Sequence, residues 1–145
     1  MTQPLAGHCH CGAIHVILEP GRPVGELALR ACQCGFCRRH GAATTSDPAS
    51  RLHIEAAPGS INWYQFGRRQ AEVLLCAECG VYVASTLEVA EQRLSTLNVA
   101  GVALPGFEGR TPEPALYDDE SDEDRLARRK ARWTPTVLVE SSPSA

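Results

Sequence analysis

Gly7-His8-Cys9-His10-Cys11-Gly12-Ala13 sets two cysteines one residue apart near the start of a chain of 145 residues. A C-x-C turn lets two thiolates from one stretch of backbone reach a single metal ion at about 2.3 Å. A closed structural zinc takes four ligands, so this pair calls for a second one. Cys76-Ala77-Glu78-Cys79-Gly80 supplies it from the far end of the strand-rich region. Cys9, Cys11, Cys76 and Cys79 are therefore expected to make one closed four-cysteine site that ties the two ends of a β architecture together.

Three of the seven cysteines remain, all within Cys32-Gln33-Cys34-Gly35-Phe36-Cys37. The odd total disfavours a disulfide framework. Zinc with three protein ligands keeps its fourth position for water or substrate, which separates a catalytic site from a structural one. Cys32, Cys34 and Cys37 are thus expected around an open Zn²⁺, giving two zinc ions per chain. A histidine could instead close the trio into an inert site, since His8, His10 and His40 all adjoin cysteines and His40 lies three residues after Cys37. A redox role for the C-x-x-C pair is opposed by the absence of a thioredoxin-like βαβ context around it.

The rest of the composition is that of an ordinary globular chain, 43% hydrophobic and 21% charged. At this length one domain is the default, burying about 70% of its unfolded surface. A net charge of -3 gives no overall positive field, which argues against nucleic acid or an anionic membrane as partner. Met1 to Gly7 lacks the basic start and apolar run of a secretory signal, and no stretch reaches the roughly 18 apolar residues of a membrane span. A cytoplasmic location, with thiols kept reduced, is the expectation.

Short apolar segments cut by turn residues predict a mainly β fold. The candidate strands are 13–18, 27–31, 42–45, 52–55, 62–66, 73–75, 81–87 and 94–99, with breaks such as Glu19-Pro20-Gly21-Arg22-Pro23 and Pro58-Gly59. Trp63, Tyr64 and Phe66 are expected to fill the core, with one of them lining a pocket as the minority alternative, and His15 and His53 to sit on strand faces rather than bind metal. Six of the seven residues from Asp118 to Asp124 are acidic and five of the eight from Arg125 to Arg132 are basic. That order suits a short C-terminal helix, because carboxylates favour the positive N-terminal end of the macrodipole and cations the other. Leu126 and Ala127 would pack this helix on the sheet, with an anionic partner as the minority alternative. The expected division is residues 1–117 as a zinc-binding β domain, 118–140 as the charged helix and a last strand (133–140) on the same domain, and 141–145 as a tail.

Gly7 to Ala13, Cys32-Gln33-Cys34-Gly35-Phe36-Cys37-Arg38-Arg39-His40-Gly41 and Cys76-Ala77-Glu78-Cys79-Gly80-Val81 together resemble the glutathione-dependent formaldehyde-activating enzyme family, which includes centromere protein V. The resemblance runs from Gly7 to about Val99. It implies a β-tent fold, a structural zinc on Cys9, Cys11, Cys76 and Cys79, and a catalytic zinc on Cys32, Cys34 and Cys37. It also implies a carbon–sulfur lyase reaction, forming or cleaving the adduct of a small-molecule thiol, glutathione, with an aldehyde, formaldehyde. The carboxylates of such a thiol would need cations, and Arg38, Arg39 and His40 directly follow the third ligand, with Arg68 and Arg69 as a further pair. The competing function is a non-enzymatic zinc module that binds a protein partner. A nucleic-acid-binding zinc ribbon is opposed by the net acidity.

Overall fold

The computed structural model describes residues 3–141. Leu5–His8 (β1) and Ile14–Glu19 (β2) form the first antiparallel hairpin, with residues 9–13 at its tip. In β2 the period-two alternation buries Ile14, Val16 and Leu18 and exposes His15, Ile17 and Glu19. Arg51–Ala56 (β5) lies antiparallel to β2 and buries Leu52, Ile54 and Ala56 in the same way. Ile14, Leu52 and Ile54 are each at most 1% exposed, so each contributes about 1.5–3 kcal/mol. Their face joins Leu74, Val83, Ala84, Leu97 and Val102 in the main core.

The remaining elements are a 3₁₀ turn at Val24–Glu26, Arg30–Cys32 (β3), Gly35–His40 (α1), Thr44–Thr45 (β4), Ile61–Tyr64 (β6), Glu72–Cys76 (β7), Tyr82–Val89 (β8), Gln92–Asn98 (β9), Glu113–Ala115 (β10), Asp122–Arg132 (α2) and Thr134–Glu140 (β11). The fold is mainly β, with the short C-terminal helix where the charge order placed it. The strands form one open sheet running β1-β2-β5-β11-β9-β4-β3-β10, and a second arm, β6-β7-β8, joins at β9. One edge of β9 is covered by β8 over residues 92–97, while its other edge is shared in tandem by β11 and β4. β11 runs parallel to β5, and β10 parallel to β3. The two arms therefore branch from β9.

Several expectations move. The strand expected over 27–31 is observed at Arg30–Cys32, because its ladder partners in β4 and β10 begin only at Arg30, although Leu27 and Leu29 are buried. β1, β10 and α1 had no counterpart among the expected elements. Trp63, Tyr64 and Phe66 do not fill the core: they are 39%, 44% and 39% exposed. The cause is topological: Trp63 and Tyr64 lie on β6, an edge strand paired only to β7, and Phe66 lies on the loop that follows it. His15 and His53 sit on exposed strand faces as expected.

Helix α2 is capped by Ser121, whose hydroxyl accepts the Asp124 N–H at 3.1 Å. Asp122, Glu123 and Asp124 occupy its first turn and Arg129, Lys130 and Arg132 its last, complementing the macrodipole. Its packing differs from expectation. Ala127 is exposed and Leu126 only half-buried, whereas Arg125, Arg128 and Arg129, spaced to share one helical face, are half-buried. The chain then leaves the helix through buried Trp133 into β11. Of the expected tail, Ser141 still donates its N–H to the Ala56 carbonyl at 2.9 Å, and residues 142–145 lie outside the described residues.

Candidate metal centres and an arginine-lined cavity

Two hairpin tips meet to form the first cysteine cluster. Cys9 follows β1 in a turn closed by the Gly12 N–H donating to the Cys9 carbonyl, with Gly12 in the left-handed region at φ 83°. Cys76 ends β7 in an equivalent turn, where the Gly80 N–H donates to the Cys76 carbonyl and Gly80 has φ 80°. Glycine takes this conformation without the steric penalty of a Cβ, so the glycine after each cysteine pair lets the chain fold back behind its sulfurs. The Sγ atoms of Cys9, Cys11, Cys76 and Cys79 all lie within 4.8 Å of one another. Cys9–Cys11 and Cys11–Cys76 are 3.7 and 3.6 Å apart, close to the edge of about 3.8 Å that tetrahedral sulfurs have around a zinc bonded at 2.3 Å. The Ile14 N–H also donates to the Cys9 sulfur at 3.3 Å, as a thiolate ligand requires. This donor set fits a closed zinc site.

The second cluster is built from one short segment. Cys32 ends β3, Cys34 caps α1 with its sulfur accepting the Cys37 N–H at 3.3 Å, and Cys37 is buried inside α1. Their three sulfurs lie within 4.8 Å of one another, and among the described residues no histidine or carboxylate joins the group. His40 is exposed and stacks on Phe36 at 4.5 Å. The three-sulfur set fits a zinc with one position left for another ligand.

Electrostatics single out one thiol in each cluster. A hydrogen bond with Cys37, outweighing burial, holds the Cys32 thiol down at about 6 and pushes Cys37 far above the usual thiol range. Burial raises Cys79, but hydrogen bonds from the backbone at Cys11 and Val81 overcome it and hold that thiol at about 6 as well. A lowered pKa favours the ligating thiolate above that value and is lost as pH falls through it. Zinc is therefore expected to stay bound from pH 8 down to about 6 and to be released only at lower pH, because the bound ion competes with protons for the thiolates, as followed with a metallochromic dye. A zinc content that is the same at pH 8 and pH 3 would contradict the assignment of these thiols as ligands.

Cys32, Cys34 and Cys37 line a cavity of about 340 Å³, and none of the other four cysteines does. Its walls come from both arms of the sheet: Thr44, Tyr82, Ser85 and Thr96 from strands, Phe66 to Gln70 from the loop after β6, and Arg125, Arg128, Arg129 and Arg132 from α2. Tyr82 and Ser85 share a 2.8 Å hydrogen bond between their hydroxyls. Phe36 stacks with Tyr64 at 5.7 Å and Phe66 at 5.2 Å and meets Tyr82 edge-on at 5.1 Å, an aromatic group beside the trio. Burial first, then repulsion from Arg128 and Arg125, lowers Arg129 to about 10, a sign of how crowded with positive charge this wall is.

The sequence model of the glutathione-dependent formaldehyde-activating enzyme family matches residues 4–117. The chain belongs to this family. A crystal structure of a Rhodobacter sphaeroides protein, from a structural-genomics programme, is similar over 77% of this chain and 99% of its own, with 30% identity and a TM-score of 0.52. No curated protein matches. No helix is long and apolar enough to cross a membrane among the described residues.

The family match includes all seven cysteines and stops before α2, so the arginine wall is a feature of this chain outside the matched region. Arg38, Arg39 and His40, the cations expected to meet a substrate, are exposed on α1 and do not line the cavity; Arg39 instead donates to the Gly35 carbonyl at 3.0 Å. Arg68 and Arg69 do line it. Sequence reading missed Arg125, Arg128, Arg129 and Arg132 as site residues, though their common helical face was visible in the spacing.

Proposed function

We propose that this protein forms or cleaves the carbon–sulfur bond of a thiol–aldehyde adduct, with Cys32, Cys34 and Cys37 as catalytic ligands and Cys9, Cys11, Cys76 and Cys79 as structural ones. The observation that carries this reading is that only the three-sulfur cluster opens into the cavity. A zinc ion bound to the trio would hold a substrate thiol as its thiolate near neutral pH. In the forward direction a sulfur–carbon bond forms at the aldehyde carbon, the carbonyl π bond breaks, and the thiol proton ends on the carbonyl oxygen. The reverse reaction returns the same atoms. Glutathione and formaldehyde, named in the family description, are the model substrates.

The chain supplies a hydrogen-bond donor that would steady the charge developing on that oxygen while the proton released by the thiol reaches it, the donor keeping its own proton. Burial, reinforced by negative charge on the neighbouring cysteine trio, pushes the Tyr82 phenol well above its ordinary range, so it stays protonated throughout the physiological window. Its hydroxyl is held by Ser85 in the cavity wall. Tyr82→Phe keeps the ring against Phe36 and removes only the donor. It is expected to cost about 1 kcal/mol of stability and to slow adduct formation about 100-fold. An unchanged rate would remove Tyr82 from the reaction.

The reading is tested by mixing zinc-loaded protein with formaldehyde and a series of thiols and following exchange between free and adduct forms by NMR. Acceleration with at least one thiol is expected. No acceleration with any thiol would favour the non-enzymatic zinc module that binds a protein partner.

A further inference from the structure

Among the described residues seven arginines line the cavity, against one carboxylate, Asp118. Two of them are neutralised: Arg68 pairs with Asp122, and Arg128 grips Glu120 through two nitrogens at 2.8 and 3.0 Å while stacking over Tyr117. Among the described residues, Arg30, Arg69, Arg125, Arg129 and Arg132 make no ion pair. Arg125 and Arg129 each also keep a buried Nε–H without a hydrogen-bond partner. Buried polar groups are normally satisfied, and buried charges are normally paired. Arg125 has one other donor engaged, its Nη2–H to the Tyr117 carbonyl at 2.8 Å, and Arg129 lies over the Trp133 ring, but neither guanidinium meets an anion, so their common face of α2 points to a missing one.

The cysteine trio does not account for this excess. Three thiolates around one Zn²⁺ sum to a single negative charge, and Asp118 adds another. About three positive charges then stay uncompensated at neutral pH, where arginine is fully protonated. The same wall offers only Asp118 to an ammonium group. We propose that the cavity selects a small thiol whose non-reacting end carries two or more acidic groups and no ammonium, read by Arg125, Arg129 and Arg132 while its sulfur faces Cys32, Cys34 and Cys37. The assignment rests on the thiol–aldehyde reading for the sulfur end alone. The anionic end is recognised by α2, the element that lies outside the family match, and a cavity of about 340 Å³ accommodates a ligand of this class.

Two arms test the proposal on the zinc-loaded full chain. In the first, succinate, a dianion with no thiol, is titrated into a Trp63→Phe variant. This leaves Trp133, which sits 4.9 Å beneath the Arg129 guanidinium, as the one fluorescent tryptophan. Saturable quenching that weakens about tenfold in Arg129→Gln is expected, since a charged hydrogen bond is worth about that factor. Arg132→Gln, an exposed position whose loss does not threaten the fold, is expected to weaken it several-fold too. In the second arm, mercaptosuccinate, glutathione and 2-mercaptoethanol compete in the NMR exchange assay. The expected order is mercaptosuccinate first, glutathione with its ammonium between, and 2-mercaptoethanol last, with the spread collapsing in Arg129→Gln.

Succinate binding with no acceleration for any thiol would support the anion site and sink the reaction. Equal acceleration for charged and neutral thiols, or binding indifferent to both arginine substitutions, would overturn the anion site and leave the reaction standing.

Discussion

Replacing Cys76 with serine is expected to leave the protein unfolded at room temperature. Cys76 is 2% exposed, ends β7, and places its sulfur 3.6 Å from that of Cys11 on the opposite hairpin tip. β1 and β7 are not neighbours in the sheet, so nothing in the backbone ladder joins these two tips directly. A structural zinc contributes on the order of 10 kcal/mol to folding, comparable with the whole 5–15 kcal/mol stability of a domain. Serine is a poor zinc ligand, and its loss of charge leaves the other three sulfurs crowded around an incomplete site. Circular dichroism melts and amide NMR dispersion read the outcome: a flat melt and collapsed dispersion are expected. A cooperative transition at the wild-type temperature would show that the four-cysteine cluster does not hold the fold.

The second large effect separates the clusters. Cys34→Ser is expected to leave a folded protein that no longer accelerates adduct formation. The side chain at 34 is half-buried and caps a helix of six residues, and serine is itself a preferred cap, so α1 keeps its first hydrogen bond. The expected change in stability is within about 1 kcal/mol. The trio loses a thiolate, however, and with it the charge stabilisation at the reacting sulfur. Removal of one comparable electrostatic contact in other enzymes costs 10²–10³-fold, so a rate at least about 100-fold lower is expected. Should Cys34→Ser unfold as completely as Cys76→Ser, the division between a structural and a reactive cluster would fail.

The two cysteine clusters were legible in the sequence because their information is local. A C-x-C or C-x-x-C turn followed by glycine carries its own geometry, and Gly12 and Gly80 are found in the left-handed conformation such turns need. The alternation in 14–19 and 51–56 was equally readable, since burial on one face imposes a period of two. What the sequence hid depends on partners far away. Trp63, Tyr64 and Phe66 read as core by residue type, yet β6 is an edge with one neighbour, and only the topology reveals it. His40 stood at a plausible ligand distance in sequence but is drawn off by Phe36.

The cationic wall shows the same limit from the other side. The acidic-to-basic order of residues 118–132 specified a helix and its direction. Which face turns inward is settled by buried Trp133 and by β11 docking between β5 and β9, contacts that no local pattern encodes. Adjacency in sequence to the third ligand favoured Arg38 and Arg39, but α1 points them outward. The cations that reach the cavity come instead from a helix about ninety residues further along.

Zinc content per chain tests the account most directly. Protein purified at neutral pH is expected to carry two zinc ions by elemental analysis. One should leave readily on treatment with a chelator or millimolar thiol while the melting temperature holds, and the second should leave only with unfolding. A single, tightly held zinc that persists until the protein unfolds, with the cavity cysteines free to react with a thiol reagent throughout, would contradict the open centre on Cys32, Cys34 and Cys37.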